Sequence, residues 1–260
     1  MKFGTGRAKK AFLTAAALAA SSAAYAHDFF LMPSAFTAPR TGTLDIQATV
    51  GSSFPKLENV VTADRVDRLY AEGVGSPSLS IVAPASNALH LHLTGTRPGT
   101  VVAGVSTKAR DVEYAEDRIP IILEEYRVSP QAQAAVEALP RPRTLKVSSR
   151  RFAKTLVCVQ RCGDRSAATK PLGAALEFVM SGKGGDRFRL LKEGRPLGNY
   201  PVDLVGSDSQ RRHFHTDPRG EIRLPADARG SMMLFSAFMT PPAGGDRFKL
   251  DLTSLTLQRR

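Results

Sequence analysis

The chain has 260 residues, a formal net charge of +12, two cysteines, five histidines and no tryptophan. Without Trp and with only five Tyr, an aromatic sugar-binding platform is excluded as a leading idea. The cations are scattered apart from the stretch Arg141 to Lys154, and nucleic acid is not the expected partner.

Residues 1–26 read as a secretory signal peptide. Lys2, Arg7, Lys9 and Lys10 make a positive start, "AFLTAAALAA" is a ten-residue apolar run, and Ala24-Tyr25-Ala26 is a cleavage signature. The run is too short to span a bilayer, and no later stretch is apolar enough. A periplasmic or secreted protein is expected, not membrane-spanning, 234 residues long and beginning at His27. Loss of the four signal cations and no acid lowers the charge from +12 to +8.

The mature chain patterns as mainly β. In "TLDIQATV", Leu44, Ile46, Ala48 and Val50 alternate with polar residues, as in a half-buried strand. "SLSIVAP", "ALHLHLTG" and "GTVVAGVST" follow, separated by Pro and Gly. One helix is predicted at 129–139, with Ser129 as cap, Pro130 in the first turn and Pro140 as stop. The cationic stretch Arg141 to Lys154 reads as a solvated face. A second β set runs from "KTLVCV" to "FKLDLTSLTL", with "GGDRF" at Gly184 and Gly244 as repeated turn chemistry. The division expected is 27–140, a sandwich carrying the helix at its end, and 141–260, a second sandwich.

The histidines carry the chemistry. His27 is the expected N-terminus, and the other four form two pairs, His90/His92 and His213/His215. Residues i and i+2 of a strand share a face, about 6.5–7 Å apart, so each pair can converge on one ion. Leu89, Leu91 and Leu93 take the core face of "ALHLHL", which turns His90 and His92 outward. A free α-amino group, with a pKa of about 7.7–8.0, and the His27 ring can chelate one ion together. Amine and imidazole nitrogen suit nickel, cobalt, copper and zinc. Against this stands the bland alternative, histidines decorating solvated faces. The pairs also fall in different expected domains, and Arg211 shares a strand face with His213 and His215 and would repel a cation.

Other candidates are weaker. Cys158 and Cys162 are either disulfide-bonded or free; bonding requires a turn at Gln160-Arg161, because an extended separation of four residues is about 13 Å. Met232, Met233 and Met239 read as a buried strand rather than as copper ligands. "SGKGGD" lacks phosphate-loop spacing, no G-x-S-x-G occurs, and "EYAED" reads as a loop. No catalytic residue is assigned.

"AHDFFLMPSAF" after a signal resembles the start of a family of periplasmic proteins of unknown function that begin His-Asp-Phe-Trp-Leu-x-Pro. Some of its members accompany nickel/cobalt uptake transporters. Here Phe30 stands where Trp is usual. "VGSSFP", "EEYRV", "RRFAKTLV" and "LEFV" fit in order, and "EGRPLGNYPVDLV" with "TDPRGEIRLP" resembles a transthyretin- or carboxypeptidase-regulatory-like β-sandwich. The resemblance implies two β-sandwich domains, immunoglobulin-like or transthyretin-like, outside the inner membrane and linked to transition-metal handling.

The expected function is capture of a divalent metal ion, nickel, cobalt or copper, for a membrane metal transporter. His27 would be the anchor, His90 and His92 the nearer partners, and His213 and His215 a second or shared site. The alternatives are a metal-free structural or adhesive module and a histidine-brace copper oxidase.

Overall fold

The structure, a computed structural model, describes residues 28–182 and 184–259. The expected signal peptide and His27 lie outside the described residues. The fold is mainly β and of sandwich type, built from three sheets.

A nine-stranded sheet forms the spine. Its order is Arg211–His215, Pro201–Gly206, Gly230–Thr240, Arg247–Arg259, Thr144–Val159, Gly99–Thr107 and Val66–Glu72, with Thr37–Ala38 and Arg110–Ala115 also pairing to Thr144–Val159. One pairing is decisive. Thr144–Val159 runs parallel to Arg247–Arg259, with Lys146 beside Arg247 and Thr155 beside Thr256. The same strand pairs antiparallel with Gly99–Thr107 through Leu156–Val159. The boundary expected near residue 140 therefore precedes a strand that belongs to both halves, and one sheet runs through them.

Two smaller sheets cover this spine. The first, five-stranded, in order Asp28–Pro33, Leu44–Gly51, Leu89–Thr96, Gly75–Pro84 with Asn59–Val60 also pairing to Leu44–Gly51, sets Phe29, Leu31, Leu89, Leu91 and Leu93 against Val101, Ala103, Ala153 and Val157. The second comprises Leu176–Met180, Arg187–Lys192, Arg195–Pro196 and Glu221–Arg223. It sets Phe178, Phe188 and Leu190 against Val202, Leu204, Leu234 and Leu255. At the C-terminal end the other face of the spine is covered by helices. Strand Gly230–Thr240 shows the consequence: Met232 and Leu234 face one core, Met233, Phe235, Ala237 and Met239 the other. A strand buried on both faces is apolar throughout rather than alternating.

The predicted helix is present as Pro130–Glu137, with the Ser129 hydroxyl accepting from the Ala132 amide at 3.3 Å. A second helix, Ile119–Glu125, precedes it and was not expected. Its seven residues are too few for a clear 3.6-residue period, yet Ile119 and Ile122 bury one face on Phe30 and Leu145. The cationic stretch is corrected more sharply. It is mostly the first two thirds of strand Thr144–Val159, with Leu145 and Val147 fully buried and Lys154 only 2 % exposed, paired to Glu177 at 3.0 Å.

Local turn chemistry behaves as its residues dictate. Asp217 Oδ1 accepts from the amides of Arg219 and Glu221, both at 2.8 Å, and Gly220 takes φ 76°. A side chain there would meet the Leu197 amide nitrogen at 2.9 Å, so glycine is required. Cys158 and Cys162 are joined by a disulfide with Cα atoms 5.1 Å apart; Gln160, at φ 56°, makes the turn that brings them together.

Candidate functional site

Strand Asp28–Pro33 is wedged between two cores. Phe29 and Leu31 enter one; Phe30 and Met32 enter the other, where Phe30 meets Phe54 edge-on at 5.3 Å. One edge pairs with Leu44–Gly51. Beyond that pairing, the carbonyls of Phe29 and Leu31 accept from the Ser254 and Thr256 hydroxyls at 2.6 Å. Alternation sends the Asp28 side chain to the Phe30 side, into the interior.

There Asp28 starts a chain of ion pairs. Its Oδ2 accepts from Arg211 Nη2 at 2.5 Å, and Arg211 Nη1 donates to Asp203 Oδ2 at 2.8 Å. Asp203 Oδ1 meets His213 Nδ1 at 2.8 Å and accepts from Arg127 Nη1 at 2.8 Å. Asp28 and Asp203 are almost fully buried, while the His213 side chain is 58 % exposed. Arg127 leaves the end of helix Ile119–Glu125 in the left-handed region, φ 47°. The guanidinium of Arg211 also covers the Phe235 ring at 5.3 Å.

This corrects the expected role of Arg211. The sequence suggests a bare positive charge beside His213 and His215. In the fold two carboxylates hold the guanidinium, and with Arg127 also on Asp203 the two acids and two guanidiniums balance. An ionised carboxylate only accepts, so the proton of neutral His213 sits on Nδ1 and Nε2 keeps its lone pair. A carboxylate behind the imidazole is the arrangement that orients metal-ligating histidines.

Two oxygens of the cluster stand without a hydrogen-bond partner: Asp28 Oδ1 and Glu125 Oε1. Burial pushes the Asp28 carboxyl up to about 6, against the pull of Arg211. Burial, followed by the charge of Asp28, pushes Glu125 up to about 7. Desolvation thus outweighs the pull of Arg211 and Arg151 on both acids, and buried polar atoms of this kind ordinarily find a hydrogen-bond partner.

The histidine pairs are separated. His90 and His92 lie on the outer face of the five-stranded sheet, with Leu89, Leu91 and Leu93 fully buried beneath. His92 Nε2 meets Asp45 Oδ1 at 3.1 Å in an exposed pair. Across the sheet His90 pairs with Gln47, whereas Asp28 pairs with Gly51 on the same neighbouring strand. Four residues along a strand is about 13 Å. His213 and His215 lie instead on the edge strand of the nine-stranded sheet, whose Arg211 grips Asp28. Among the described residues no three His, Cys, Asp or Glu side chains gather into a group able to hold a metal ion.

Sequence reasoning named the histidines but passed over Asp28, Glu125, Arg127 and Asp203. One signal was available: Asp203 is a lone acid inside the apolar run "YPVDLV", and an acid there must find a cation. None existed for Arg127, whose aim depends on a tertiary contact. No helix among the described residues is long and apolar enough to cross a membrane. No curated protein matches the chain. Residues 24–239, which include the N-terminal strand, both histidine pairs and every member of the ion-pair cluster, match the family described as Domain of unknown function (DUF4198), and the chain belongs to that family.

Proposed function

We propose that the protein is a binding protein of the periplasm or cell exterior for a divalent late first-row transition metal, nickel, cobalt or copper, serving a membrane metal transporter. The observation that supports this reading is the ion-pair chain from Asp28, the residue after His27, to His213. In this reading the freed amine and ring of His27 chelate the ion. His213, held by Asp203, or its neighbour His215 adds an imidazole. Asp28, whose carboxyl is raised only to about 6, supplies negative charge nearby at neutral pH. His90 and His92, on another sheet, become an independent surface pair. Exposed imidazoles exchange readily, which suits delivery rather than permanent storage.

The test is calorimetric titration of the mature protein, starting at His27, with nickel and copper. Extension by one residue before His27 removes the free amine and should weaken binding at least tenfold. The His213→Ala/His215→Ala variant should lose more affinity than His90→Ala/His92→Ala. Equal affinity with and without the extension, or no binding by the mature protein, would overturn the reading.

A further inference from the structure

A cavity of about 540 Å³ adjoins the ion-pair cluster through Tyr126, the residue after Glu125. Arg65, Arg110 and Arg151 line it, together with Tyr114, Tyr126 and a wall of valines that includes Val112. None of its lining residues is acidic, and none is a histidine. Its volume is within the range of pockets that take small organic molecules.

Three guanidinium-bearing side chains line one cavity that no carboxylate lines; the charge of Arg151 also acts on Asp28 and Glu125 and that of Arg65 on Asp64, and the lining itself is cationic and suits an anion. Their charges reach the interior: those of Arg151 and Arg110 both act on the Tyr114 phenol, and that of Arg151 acts on Tyr126. Burial raises both phenols above their ordinary value, so they remain protonated at neutral pH and can donate. Glu125 acts on both phenols and Asp28 on Tyr126; the Glu125 carboxyl, raised to about 7, is partly protonated near neutral pH. Arg65 spends Nη2 on the Lys108 carbonyl at 3.1 Å, which fixes its stem and leaves other donors. Arg110 is exposed.

We propose that this cavity binds a compact organic polycarboxylate, two or three carboxylates on a short aliphatic body. Planar guanidinium forks match carboxylates in bidentate fashion. The phenols add neutral donors, and the valine wall covers the aliphatic part, which an inorganic oxyanion would leave unused. The inference is independent of the metal reading, because the cavity uses none of the described histidines.

The probe is propane-1,2,3-tricarboxylate, titrated calorimetrically into metal-free mature protein. Saturable binding is expected, weakened at least tenfold in Arg65→Gln/Arg110→Gln and severalfold in Arg110→Gln alone. Arg110 is exposed, so the single variant keeps the fold and decides the matter even if the double variant does not fold. The His213→Ala/His215→Ala protein should bind the probe as the parent does. Absence of saturable binding, or unchanged affinity in Arg110→Gln, overturns the proposal. So does competition by inorganic phosphate as effective as the probe itself, which would mark a generic anion patch.

Discussion

Two of the sets of buried charges among the described residues are finished differently. Lys154 and Glu177 are a closed pair, 3.0 Å apart and 2 % and 0 % exposed. Glu177 uses both oxygens: Oε2 accepts from Lys154 and the Leu172 amide, Oε1 from the Gly173 amide. Burial depresses the Lys154 pKa even with Glu177 beside it. The cluster of Asp28, Glu125, Asp203 and Arg211 is open by contrast, with two partnerless oxygens and an exposed imidazole at its end. A closed pair pins two sheets together, strand Thr144–Val159 to strand Leu176–Met180. An open cluster leaves room for another charged group. Satisfaction of hydrogen bonds, more than burial, separates a structural ion pair from a candidate site.

If the pair is closed, breaking it leaves a naked buried charge. Lys154→Met should cost about 3–5 kcal/mol. Adding Glu177→Gln should recover part of that loss, since the remaining charge is gone. Denaturant unfolding of the two variants measures both values; a Lys154→Met protein as stable as the parent would erase the distinction.

The open cluster should show itself in pH dependence. Asp28 and Glu125 titrate at about 6 and 7 in the fold, above their ordinary 3.8 and 4.5. Between those values the folded state holds protons that the unfolded chain has released, so stability falls as pH rises from about 4 to about 7. Glu125→Gln removes the upper part of that slope. Melting temperatures across this range should flatten in the variant, and parallel curves for variant and parent would count against an uncompensated Glu125.

The smallest effect is expected at Asp28 itself. Asp28→Asn leaves Arg211 paired with Asp203 and removes a buried charge that lacks full compensation. Stability at pH 7 should stay within about 1 kcal/mol of the parent. A loss as large as that of Lys154→Met would show that Asp28 belongs to a closed pair after all.

Only the histidines and Arg211 of the candidate site were visible before any fold; Asp28, Glu125, Arg127 and Asp203, and every connection among them, were not. Five histidines, three of them named as one mature terminus and one outward pair, could be read from spacing alone. The face of His90 and His92 followed from three leucines. The tie between Asp28 and Arg211 did not, because it joins residues 183 apart in the chain. Arg211 was misjudged for the same reason: strand alternation gives a side chain's face and says nothing of what another strand brings to it.

The sequence by itself determined what depends on near neighbours: the alternating strands, the Ser129 cap with Pro130 behind it, and the Asp217–Gly220 turn. These rest on hydrogen bonds and steric limits within a few residues. Tertiary structure decided the rest. It paired Thr144–Val159 in parallel with a strand about a hundred residues later, which merged the two halves through one sheet. It buried Lys154 from inside a cationic stretch and carried Asp28 to the strand of His213 rather than that of His90. Which strands become neighbours is settled by the combined burial of many apolar faces, and no local pattern records that sum.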